Sequence, residues 1–250
     1  MKPGGALVTG AGARIGRAMA EALGADGWAV CLHYRGSKDG AEDAAETLRK
    51  AGGRAELLAA DLSDESARAG LVAEAARRLG RPVTLLVNSA SAFADDTATD
   101  HSRADWDHHF EPNLRAPVDL AQQFAKALPD GEKGLIVNLI DQRVWKLTPQ
   151  FFTYTLSKAA LWTATQTLAQ ALAPHIRVNA IGPGPALQSV HQSAEDFAAE
   201  QAATLTGEGS NPAEIVRALR YLVAASSVTG QMIAADGGQH LMWQTPDTQI

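Results

Sequence analysis

Thr9-Gly10-Ala11-Gly12-Ala13-Arg14-Ile15-Gly16 is the stretch on which the reading of this chain turns. It continues an apolar run over residues 6–9 and opens a helical pattern over 15–25. Glycines between a strand and a helix let the backbone approach a pyrophosphate, and the helix N-terminus adds unpaired N–H groups and a positive dipole end. The glycine spacing is one residue longer than the general G-x-G-x-x-G fingerprint, and any tight turn favours glycine. The phosphate reading therefore rests on position: the turn follows the first strand of a βαβ unit.

Outward from this turn, apolar runs at 28–33, 54–60, 83–88, 135–139, 177–181 and 232–235 alternate with helical patterns. The helices are predicted over 41–51, 65–79, 102–128, 154–173 and 212–224, the last with Asn211 as cap, Pro212 at the first position and Glu214 closing a capping box. This alternation predicts an α/β, doubly wound Rossmann fold, with a seven-stranded parallel sheet and helices on both faces. Strands buried on both sides explain continuous apolar runs such as Val83-Thr84-Leu85-Leu86-Val87. No repeat or linker divides residues 1–250, so one domain is expected, with a substrate flap over 188–209 containing a short helix near 194–203.

The second strand ends in His33-Tyr34-Arg35, with no acidic residue before Asp39 to take a ribose 2′-hydroxyl. Arg35, Ser37, Lys38 and Arg14 could instead meet a 2′-phosphate, which favours NADP(H) over NAD; solvated surface charge is the alternative. Farther on, Tyr154-Thr155-Leu156-Ser157-Lys158 sets a tyrosine and a lysine one helical turn apart. A nearby ammonium favours the phenolate and is expected to bring Tyr154 toward the range of a general acid/base.

With these pieces in order, the chain resembles the classical short-chain dehydrogenases/reductases over essentially its whole length. The matching residues are those from Thr9 to Gly16, Asp61-Leu62, Asn88-Ser89-Ala90, Asn113-Leu114, Tyr154 with Lys158, Arg177-Val178-Asn179, Pro183-Gly184 and Asp236-Gly237-Gly238. The resemblance implies that Tyr154 delivers a proton, that Lys158 holds the nicotinamide ribose and tunes Tyr154, and that Asn113 supports a proton relay through water. It also implies that Thr9, Gly10, Gly12, Arg14, Ile15, Gly16, Tyr34, Arg35, Ser37, Asp61, Leu62, Asn88, Ser89, Ala90, Pro183 and Gly184 contact the cofactor. The loop from Gly182 would close over the nicotinamide, and a homotetramer is implied.

Two departures point to the substrate. Where that family has a serine thirteen positions before the tyrosine, this chain has Asp141. A carboxylate only accepts, and it opposes a developing phenolate, so a plain ketone suits the site poorly unless Asp141 is protonated. Arg14 stands where glycine is common. Both changes are similar to the pteridine and dihydropterin reductases, as is Asn88-Ser89-Ala90-Ser91-Ala92-Phe93; there the phenylalanine stacks on the pterin. The expected substrate is accordingly a dihydropterin, bound by Phe93, Asp141 and Tyr154. Phe93 as a loop anchor and Asp141 paired with Arg143 or Lys146 are the structural alternatives. A general carbonyl reductase and a non-catalytic NADP(H) sensor are the functional ones. Ser89 replaces a common second asparagine, and Pro112 is expected to kink the long helix before Asn113.

Composition excludes other classes. A net charge of −6 argues against a nucleic-acid binder. Cys31 is the lone cysteine, so no intrachain disulfide forms; it reads as a buried structural thiol. No apolar stretch spans a bilayer and the N-terminus lacks a signal-like run, so a cytoplasmic protein without membrane partners is expected. His101, His108 and His109 among Asp100, Asp105 and Asp107 give no tetrahedral set; they read as a solvated helix start, not a metal site. Trp106, Trp145 and Trp162 read as core or subunit contacts, with Trp145 near enough in sequence to border a substrate.

Overall fold

The computed structural model describes residues 1–189 and 192–245. The chain runs β1 (Gly5–Val8), α1 (Arg14–Ala25), β2 (Ala29–Tyr34), α2 (Lys38–Lys50), β3 (Ala55–Ala59), α3 (Glu65–Arg68), α4 (Leu71–Leu79) and β4 (Val83–Asn88). It continues through α5 (Arg103–Phe110), a π-helical turn (Glu111–Arg115), α6 (Ala116–Ala127), β5 (Gly134–Leu139), α7 (Phe152–Leu172) and β6 (Ile176–Pro183). The last elements are α8 (Ala194–Ala202), α9 (Pro212–Ala224) and β7 (Met232–Ala235). The strands form one parallel sheet in the order β3-β2-β1-β4-β5-β6-β7. The order reverses between β1 and β4, and the crevice beyond their carboxyl ends is where this topology takes a ligand.

Burial on both faces follows from strand alternation. Ala6, Val8, Leu85, Val87, Leu135 and Val137 pack into one core layer beneath α1, α2 and α9. Leu7, Leu86, Ile136 and Val178 pack into the other, with Leu120 and Phe124 of α6. A polar rung interrupts the apolar interior. Asn88 and Asn138 are register partners on β4 and β5; Asn88 Nδ2 donates to Asn138 Oδ1 at 2.8 Å, and Asn138 Nδ2 donates to Thr165 Oγ1 at 2.9 Å. Cys31 is buried, and burial pushes its thiol up to about 12.

Several boundaries differ from expectation. The helix expected over 65–79 is two, because Gly70 takes a left-handed φ of 72° that no continuous helix contains. The helix expected over 102–128 instead runs without a gap from Arg103 to Ala127, and Pro112, expected to kink it, falls in a π-turn that widens the ladder because the residue lacks an N–H. β6 continues through Gly182 and Pro183, so the loop over the site begins at Gly184 rather than Gly182. α2 begins at Lys38, which places Ser37 at its N-cap. In the flap, α8 is capped by Ser193, whose Oγ accepts from Asp196 N. Val190 and His191, within that flap, lie outside the described residues.

Candidate active site

The glycine turn is built for close approach. Gly10 holds φ at 66°, and a Cβ there would come within 2.9 Å of Ala90 Cα. A side chain on Gly16 would drive into the Gly10 carbonyl. Thr9 Oγ1 accepts from the N–H groups of Ser89 and Ala90 at 2.9 and 3.0 Å, locking the turn to the segment after β4. Beneath it, buried His33 accepts from Gly10 N at Nδ1 (3.2 Å), so Nε2 carries the proton, 3.2 Å from Ala60 O. Burial lowers this imidazole to about 4.

The residues present fit an NADP(H). Ala13 stands at the N-cap of α1 with no side-chain cap, and the first turn of α1 carries no acidic residue to compete with a phosphate. Arg35, Ser37 and Lys38 are exposed at the end of β2. Arg35 Nη1 lies 3.7 Å from Asp61 Oδ2, a loose surface contact. Leu62 is buried and its carbonyl accepts from Arg68. Tyr34 is half-buried beside them. Arg14 takes a positive φ of 51°, which explains why glycine suits the position. Its guanidinium is engaged by the loop after β6, donating to Gln188 O and Leu187 O at 3.0 and 3.1 Å. Gly184 N donates to Ala235 O, which ties the loop after β6 to β7.

At the catalytic end, Tyr154 OH donates to Asp141 Oδ2 at 3.0 Å, and Asp141 Oδ1 accepts from the backbone N–H of Arg143 at 2.8 Å. Asp141 thus pairs with neither the Arg143 nor the Lys146 side chain. Burial raises its carboxyl above the usual range, against the pull of these donors and of nearby Arg143 and Lys158. Burial and the Asp141 charge push the Tyr154 phenol well above the ordinary tyrosine range. Downward tuning by Lys158 is therefore not what this arrangement produces. The lysine is itself lowered to about 8 by burial, its Nζ donates to Leu139 O at 2.9 Å, and it sits 5.7 Å from the Tyr154 ring centroid. Asn113 is buried in the π-turn, and its amide is fully engaged: Nδ2 donates to Ala92 O and Ser157 Oγ, while Oδ1 accepts from Ala92 N and Ser91 Oγ.

Phe93 is no core anchor. It is 39% exposed, stacks on Phe151 (centroids 4.4 Å, 24°) and meets the Tyr154 ring edge-on at 4.8 Å. The Arg143 guanidinium lies over the other ring, 5.0 Å from the Phe151 centroid. Trp145 is exposed and touches the rings of Trp162 and His240.

Sequence reading missed four contributors. Phe151, with φ at 54°, has no side-chain cap to offer α7. Asp96 supplies one from the loop after β4, accepting from Thr153 N at 3.0 Å and from the Thr153 hydroxyl. His109, expected as solvated, is fully buried and bonds to both Ala94 N and Thr153 Oγ1, whereas His101 and His108 are exposed as expected. No group of three metal-ligating side chains occurs among the described residues. The signal for Asp96 and His109 lay only in three-dimensional proximity to a helix start more than forty residues away.

A family model described as Enoyl-(Acyl carrier protein) reductase matches residues 10–240. The chain is similar to the FolM alternative dihydrofolate reductase 1 of Brucella suis, solved in complex with NADP, at 51% identity, TM-score 0.93 and 97% coverage of each chain. It is similar to the Brucella canis FolM alternative dihydrofolate reductase 1, complexed with NADP, at 49% identity, TM-score 0.95 and coverage of 99% and 98%. An uncharacterised oxidoreductase of Methylorubrum extorquens is 33% identical over 93% of this chain and 96% of its own.

Proposed function

The chain belongs to the short-chain dehydrogenase/reductase family and is an NADP-dependent oxidoreductase, and on that premise we propose that it reduces a dihydropterin. NADPH, when bound, supplies a hydride. Tyr154 holds the proton that the reduced product requires, and its raised pKa keeps that proton in place until an acceptor approaches. Lys158 holds the nicotinamide ribose. Asn113 acts by fixing Ala92, and with it the segment that carries Phe93. The FolM relatives, dihydrofolate reductases by name, support the same reading.

The observation that carries the proposal is the Asp141–Tyr154 pair beside an exposed Phe93. A carboxyl group can accept from the ring N–H and amino groups of a pterin, or donate to a ring nitrogen, while Phe93 offers a face to a flat heterocycle. The upward shift of Asp141 gives the carbonyl-reductase reading its footing, since a protonated carboxyl donates as serine does. Asp141→Ser separates the two: pterin reduction falls while ketone reduction holds or improves. NADPH oxidation measured with dihydrobiopterin, dihydromonapterin, dihydrofolate and simple ketones tests the proposal, and turnover confined to the ketones overturns it.

A homotetramer and a cytoplasmic setting belong to the same proposal. Light scattering in solution should give four times the mass of the chain. No helix among the described residues is long and apolar enough to cross a membrane.

A further inference from the structure

His109 has no exposed surface, yet its two ring nitrogens make directed hydrogen bonds that fix its tautomer. The Ala94 N–H donates to Nε2 at 3.0 Å, so that nitrogen carries no proton. Nδ1 carries it and donates to Thr153 Oγ1 at 2.7 Å, and the Thr153 hydroxyl in turn donates to Asp96 Oδ2. Every donor meets an acceptor, so the relay runs one way, from a loop amide to a buried carboxylate. It joins α5, the loop after β4 and the first turn of α7.

Its ends fall beside the reacting groups. Ala94 follows Phe93 in the chain, and Thr153 precedes Tyr154. On the other side of Phe93, Asn113 grips both polar groups of the Ala92 backbone. The Phe93 backbone is thus clamped from both directions while its ring stays open to solvent and edge-on to Tyr154. A wall held in place before the acceptor arrives lowers the ordering cost of binding.

We propose that His109 is a positioning residue for the acceptor: by accepting from the Ala94 amide it sets Phe93 against Tyr154 and so governs affinity for a flat heteroaromatic substrate. The inference rests on the dihydropterin reading only for the choice of substrate. The titratable groups facing the imidazole are Asp96 from the loop, Asp105 one turn earlier on α5, the His108 ring at 5.0 Å and the Tyr154 ring of α7 at 5.9 Å. Burial, the largest influence, keeps the imidazole below its ordinary value and hence neutral near pH 7. A proton added to Nε2 would set two N–H groups against each other and free Ala94.

The test uses steady-state kinetics with NADPH and dihydromonapterin on the wild type, His109→Phe and His109→Gln, with hydrogen exchange at the Ala94 amide. Phenylalanine offers no acceptor, whereas the glutamine oxygen can stand where Nε2 was. The expected result is a KM roughly three- to tenfold higher in His109→Phe, the worth of one lost hydrogen bond. Turnover number and NADPH affinity should hold, the glutamine variant should recover most of the loss, and Ala94 protection should fall in His109→Phe alone. Unchanged KM in both variants overturns the inference, as does a joint fall of KM performance, turnover and NADPH affinity that glutamine does not rescue. If His109→Phe does not fold, the pH profile decides: wild-type KM should rise at low pH, and a rise that persists in His109→Gln overturns it. If the wild type reduces no dihydropterin, the substrate reading fails, and Ala94 protection alone decides the role of His109.

Discussion

The hydroxyl of Tyr154 carries its proton throughout the working range, because burial and Asp141 both oppose the phenolate. That suits a donor in the reducing direction. Tyr154→Phe removes the proton and leaves the ring against Phe93, so turnover should drop about 10²–10⁴-fold with NADPH affinity intact, as rapid-mixing kinetics and fluorescence titration would show. Arg35 is exposed, and its contact with Asp61 is loose enough to yield to a phosphate. Arg35→Ala should weaken NADPH about tenfold or more and leave NADH nearly unaffected, measured by calorimetric titration. Equal losses for both cofactors would assign the arginine a structural role. Tyr154, Lys158 and Asp141 were legible in the sequence because they lie within one strand–loop–helix segment. That burial and Asp141, rather than Lys158, set the direction of the Tyr154 shift was not, since desolvation depends on how the whole site closes around the pair.

Among the elements, the glycine turn was the most legible, since its requirement is local: a strand end, a left-handed residue and an uncapped helix start. Gly10→Ala should cost about 1–2 kcal/mol from the positive φ alone, read as a lower urea midpoint. It should also weaken NADPH, because the added carbon presses on Ala90 at the mouth of the site. The helix irregularities were only half legible. Pro112 announced the one beside Asn113, a π-turn, but Gly70 did not announce the break between α3 and α4, because a lone glycine also occurs inside continuous helices. Nor could local sequence show that α7 borrows its cap from Asp96. The first turn of that helix contains Thr153 and Tyr154, with no capping side chain before it.

For the whole molecule, alternating apolar runs and helical patterns sufficed to derive the parallel sheet, because strands covered on both faces leave a composition no other arrangement explains. What they could not give was which imidazoles end up inside. His33 is lowered to about 4 in the folded chain, whereas an exposed histidine titrates near 6.5. The unfolded chain therefore binds the extra proton first, and stability is fully present above about pH 6.5 and lost as pH falls toward 4. The loss amounts to roughly 3 kcal/mol at most from this residue. Denaturation midpoints followed from pH 7 to 4 should decline over that window, and His33→Gln should flatten the decline. The amides of Asn88 and Asn138 have a different consequence, felt before the molecule is finished. A slip of β4 against β5 by one residue would turn one amide to the opposite face and part Asn88 Nδ2 from its acceptor in hydrocarbon, leaving Asn138 only its bond to Thr165. Only the correctly threaded chain joins the two amides, so this pair acts as a proofreader of assembly, penalising the misaligned sheet.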